Sequence, residues 1–166
     1  MGKKRRVFED GHGRKLMVIV DETAEVEGAL YYAAGRAYHT SGSIVLLYVI
    51  EPDNQFWEGV RQVQLEEQTN KAKALFRLLR RKMASEGFDA VPVEEIIREG
   101  KKVEEILKHI DEDEDVAILV LGASTESSGP GPLVSSLAVG ATAGKFPIPI
   151  TIVPGELKLE DIKALA

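Results

Sequence analysis

Five short runs of strand length, none strictly alternating with polar residues and the third weaker than the rest, constrain this chain more than any other feature. They are LMVIV (Leu16 to Val20), SIVLLYVI (Ser43 to Ile50), VEEII (Val93 to Ile97), VAILVL (Val116 to Leu121) and IPITIV (Ile148 to Val153). A strand with one wetted face alternates, whereas a strand covered on both faces is apolar throughout, as in a parallel sheet sandwiched between helices. The segments between the runs carry helical periodicity, so the pattern predicts an α/β fold with a doubly wound parallel sheet.

The connecting helices are read from their spacing. From Val60 to Ala84, Leu65, Thr69, Ala72, Phe76, Leu79 and Met83 recur at steps of three and four, with charged residues between them, the mark of an amphipathic helix. Ala24 to His39 is Ala-rich with an inner stripe of Val26, Leu30, Ala33 and Ala37, and Thr23 is placed to cap it. Lys101 to Asp111 follows a turn at Gly100, and a fourth helix is expected from Leu133 to Lys145. Pro149 cannot donate to a strand ladder, which puts the last run at a sheet edge. An apolar edge invites a partner strand. One domain is expected over residues 15–155, with a basic tail over residues 1–14 that frays in solvent and a C-terminal tail over residues 156–166. Phe56 and Trp57, in the long loop EPDNQFWEG, are expected to pack over the sheet ends or against a second subunit, as plain core contacts sooner than as a ligand lid.

Composition removes several classes of function. With 166 residues, 44% hydrophobic and 29% charged, the chain is one ordinary globular domain. A formal net charge of -6 and a pI near 5.2 argue against nucleic-acid binding, which needs clustered Lys and Arg. There is no cysteine, so a disulfide framework, a thiolate metal site and a cysteine nucleophile are excluded, and a reducing cytoplasm is the expected location. The apolar runs are far shorter than the roughly 20 residues of a membrane-spanning helix, and the N-terminus MGKKRRVFEDGHGRK lacks the apolar core of a secretory signal.

The stretch GASTESSGPGPLVSSLA, Gly122 to Ala138, joins a buried strand to a helix through small and hydroxyl-bearing residues. Such a junction gathers backbone N–H groups and a helix N-terminus, a cradle suited to phosphate. Other motifs fail. GATAGKF (Gly140 to Phe146) has its glycines one residue too close for a P-loop and Phe146 where a magnesium-binding hydroxyl belongs. Gly129-Pro130-Gly131 starts a dinucleotide fingerprint that stops at Val134. His12, His39 and His109 are too scattered for a metal pair and read as solvated surface, and the acidic run Asp111 to Asp115 reads as a solvated turn. Asp21 ends a central strand, where a carboxylate either holds a ligand hydroxyl or caps the following helix.

LMVIVDET, LLYVIEP, IIREGKKVEEIL, VAILVLGAS and FPIPITIVP, in this order between Lys15 and Pro154, resemble the universal stress protein family. The resemblance implies a five-stranded parallel sheet of order 3-2-1-4-5 and a Rossmann-like fold related to the adenine nucleotide alpha hydrolases. It also implies a homodimer paired through the last strand at Ile148, Ile150 and Ile152 and, in one branch, ATP bound with Mg. In that branch the residues matching Asp21 and Val49 hold the adenosine. The phosphates rest on a glycine motif whose positions fall here on Gly122, Thr125, Ser135 and Ser136. Thr125 and Ser135 replace two glycines, and Cβ atoms there obstruct a backbone that must approach phosphate.

The implied role is regulatory or protective in a stress response rather than enzymatic, since no base, nucleophile and metal set comes together. A nucleotide-free interaction module working through the last strand and Trp57 is the alternative, and a slow ATP hydrolase a more distant one.

Overall fold

The computed structural model describes residues 4–53 and 57–166; Lys3 and Phe56 lie outside them. Five strands form one parallel sheet: β1 (Lys15–Ile19), β2 (Ser43–Ile50), β3 (Val93–Glu99), β4 (Val116–Ala123) and β5 (Ile150–Pro154), in the order β3-β2-β1-β4-β5. Helices α1 (Glu25–Thr40), α2 (Glu58–Ser85), α3 (Lys102–Glu112) and α4 (Leu159–Leu165) complete the fold. The sheet is the expected one, wound in both directions from β1, so that β2 and β4 leave opposite sides of it.

Alternate side chains of the continuous apolar runs point to opposite faces, and two cores result. Leu16, Val18, Val20, Leu46 and Val120 pack with Leu30, Ala33 and Ala37 of α1, Phe76 and Met83 of α2 and Ile162 of α4. On the other face Met17, Ile19, Leu47, Val49 and Leu121 pack with Ile106 and Ile110 of α3 and with Val134, Leu137 and Ile148. The small Ala33 and Ala34 are fully buried, which lets α1 lie close to the sheet. At the α3 turn Gly100 has φ +149°, and a methyl group there would meet the Glu105 carboxylate at 2.8 Å.

Several expectations are corrected. Thr23 does not cap α1: the cap position is Ala24, without a side-chain bond, because Thr23 gives both its amide and its hydroxyl to Asp21. The helix expected over Leu133 to Lys145 is a π-helical segment at Val134–Val139 and a separate 3-10 turn at Ala143–Lys145. It breaks at Gly140, whose backbone is extended and where a methyl group would meet the Ser136 carbonyl at 2.7 Å. The last strand starts at Ile150 rather than Ile148. Pro149 brings only a carbonyl, which accepts from Leu119 N at 3.0 Å, and Ile148 turns inward to 5% exposure. It is therefore core and not edge, leaving half-buried Ile150 and exposed Ile152 on β5.

Parts of both terminal segments touch the domain. Residues 156–166 include α4, whose Ile162 is buried against α1. In the basic segment Arg5 Nη1 donates to the carbonyls of Asp113 at 2.7 Å and Val116 at 3.3 Å, and His12 Nδ1 lies 2.8 Å from Asp115 Oδ1. The acidic run is likewise an anchor rather than a solvated turn, with Lys15 Nζ 2.7 Å from Asp113 Oδ2. Burial pushes the Asp113 carboxyl up, but bonds from Lys15 and from the Asp115 amide outweigh it and hold the group below the usual carboxylate range. His109, expected at the surface, is only 6% exposed, and its Nε2 is buried without a partner among the described residues. Burial foremost, and the Arg98 charge, keep its pKa down against the opposing charges of Asp113, Glu94 and Glu112. Trp57 is 75% exposed instead of in the core.

Among the described residues no helix is long and apolar enough to cross a membrane.

Candidate functional site

In an open parallel sheet the crevice between strands that leave in opposite directions is where a ligand finds both strand ends and loop backbone. Here it lies between β1 and β4. Asp21 follows β1 just beyond Val20, whose amide is fixed to Leu47 O at 2.8 Å, and Gly122 lies near the end of β4. Both line a cleft of about 250 Å³ with Ile19, Val26, Ala29 and Leu133 as apolar walls. This cleft shares Thr23, Glu25, Gly131 and Pro132 with a wider one of about 650 Å³, bordered by Ser124, Thr125 and Ser135. Ligand pockets typically occupy roughly 300–1,000 Å³; the two together suffice for a small molecule with an apolar and a polar half.

Asp21 Oδ1 accepts from Thr23 N at 2.8 Å and from Thr23 Oγ1 at 2.5 Å. The carboxylate is thus held by a local turn ahead of α1. Both recorded bonds fall on Oδ1.

The expected site residues do not all meet. Asp21 and Gly122 share the narrow cleft, and Thr125 and Ser135 line the wider one. Val49 is 7% exposed within the α3-side core and lines neither cleft. Ser136 is exposed and also lines neither. Gly122 has a packing role: a methyl group there would run into the Glu25 carbonyl and come within 2.8 Å of Glu25 Cβ, so glycine is what lets α1 begin against β4. Among the described residues no group of three His, Asp or Glu side chains is arranged to hold a metal ion.

Two lining residues escape the sequence patterns. Lys102, at the start of α3, is among the described residues the one cation in the lining of the narrow cleft, and Glu25, in the first turn of α1, borders both clefts. Their only sequence signal is a position close after a strand end, which for Glu25 an acidic helix start also explains.

The model of the universal stress protein family matches residues 13–154. This chain belongs to the universal stress protein family. Among solved structures it is similar to UspA from Lactobacillus plantarum (19% identity, TM-score 0.66, covering 87% of this chain and 99% of that one). It is also similar to the Archaeoglobus fulgidus universal stress protein in complex with dAMP (18%, 0.56, 84% and 97%) and to an Arabidopsis thaliana family protein with AMP bound (15%, 0.55, 85% and 91%). No curated protein sequence matches significantly. At these identities the structural likenesses speak for the fold.

Proposed function

We propose that this universal stress protein is a cytoplasmic, regulatory or protective homodimer that binds an adenine nucleotide between β1 and β4 and turns over no substrate. The observation that carries the reading is the meeting of Asp21 and Gly122 in one apolar-walled cleft at the reversal of strand order. A carboxylate beside an apolar slot suits a ribose hydroxyl next to a base. The complexes of the Archaeoglobus and Arabidopsis proteins with dAMP and AMP support the ligand class. Dimerisation is assigned to β5, whose outer edge has no strand beside it.

A nucleotide-free interaction module is the second reading, favoured by the exposed Ile152 and Trp57. Denaturing the purified protein and titrating the native protein with adenosine and AMP separates the two. We expect saturable binding that weakens about tenfold or more in Asp21→Ala, the loss of a hydrogen bond to a charged group, with a folding cost near 1 kcal/mol from the lost turn. No release on denaturation and no binding in either titration would leave the interaction module as the reading.

A further inference from the structure

We infer that the cleft selects an adenine nucleoside or its monophosphate and rejects the polyphosphate chain of ATP, with Glu25 as the residue that sets the limit. This rests on the nucleotide-binding reading above and departs from the expectation of ATP with Mg. The loop that would hold a phosphate chain has turned part of its backbone on itself. Ser124 N donates to Pro130 O at 3.0 Å, Gly129 N to Glu126 O at 3.2 Å and Ser135 N to Gly131 O at 3.1 Å. Glu126 N donates to Ser124 Oγ at 3.2 Å, and Pro130 and Pro132 have no N–H to offer. A phosphate cradle is made of inward-pointing N–H groups, so four of the loop's donors would first have to be released.

Charge acts in the same direction. The wider cleft is lined by Glu22, Glu25 and Glu126, with no Lys or Arg in its lining among the described residues. Glu22 is paired with Lys71, whereas the Glu25 and Glu126 carboxylates have no ion pair among the described residues. Glu25 is half-buried and stands over the glycine turn, its Oε1 3.9 Å from where a methyl group on Gly131 would project. Among the described residues the narrow cleft offers Lys102 alone against Asp21 and Glu25. One ammonium offsets part of the charge of a single phosphate, about −1.5 to −2 at neutral pH; three phosphates leaving the cleft would run past Glu25 toward Glu126.

Isothermal titration of the full chain with adenosine, AMP and ATP, with and without magnesium, tests this, alongside Glu25→Gln. The wild type should bind adenosine or AMP at least about tenfold more tightly than ATP, the size of one like-charge contact in a partly wetted cleft. Glu25→Gln should recover most of that factor for ATP while changing adenosine by less than about twofold, and a thermal melt checks that the variant is folded. ATP binding as tightly as AMP, a magnesium-dependent rise of ATP above AMP, or a Glu25→Gln effect equal on all three ligands would each overturn the inference while leaving the nucleotide reading in place. Failure of all three ligands to bind would take both down together.

Discussion

At the scale of single residues, the sequence announced Gly122 as a glycine that mattered, but its physical reason is an approach of helix backbone and not of phosphate. Gly122→Ala is expected to destabilise the protein by about 1–3 kcal/mol, the usual cost of overpacking, read as a fall in the midpoint of denaturant unfolding; an unchanged midpoint would mean α1 moves away freely. His109 was legible as a histidine and not as a buried one, because its helical position is set by which face α3 lays on the sheet. Its pKa lies below the ordinary 6.5 in the fold, so the unfolded chain takes up the proton first. Its contribution to stability is therefore present above about pH 6.5 and is lost as pH falls through that value toward the folded pKa. Asp113, Glu105 and Glu112, held below the usual carboxylate range, lose their contributions at lower pH. Urea unfolding between about pH 7.5 and pH 5.5 should show falling stability, and His109→Leu should flatten that slope.

At the scale of elements, the central strands were readable because burial on both faces leaves no alternation, and Ser43–Ile50 lies where its run predicts. The ends of the chain were not. The seven-residue α4 has too few turns for a period to stand out, yet one buried side chain, Ile162, ties it to α1. The π-helical segment was misread as a long α-helix because its apolar spacing looks the same until Gly140 interrupts it. The two sheet edges differ as edges should when only one is to pair. Strand β3 presents Glu94, Glu95, Arg98 and Glu99, while β5 reads ITIVP with Ile152 39% exposed. Ile152→Lys should therefore yield monomers in light scattering with little change in unfolding midpoint; an unaltered dimer would place the interface elsewhere.

At the scale of the whole molecule, sheet order and reversal point followed from the runs and the family resemblance together. The cleft itself was half legible. Asp21 was marked by a charge at the end of an apolar run, whereas the fate of the loop depended on hydrogen bonds that no spacing encodes, and Val49 went to the α3-side core because β2 is buried on both faces. The opposite end of the sheet is closed by Arg5, His12, Lys15, Asp113 and Asp115, which leaves the β1 and β4 strand ends as the place where ligand chemistry is gathered. We propose that an adenine-containing ligand enters there. An NMR titration of the isotope-labelled protein with AMP tests it most directly: saturable shifts confined to the amides of Asp21, Thr23, Glu25, Lys102 and Gly122 are predicted, and shifts absent, or clustered along β5 instead, would contradict it.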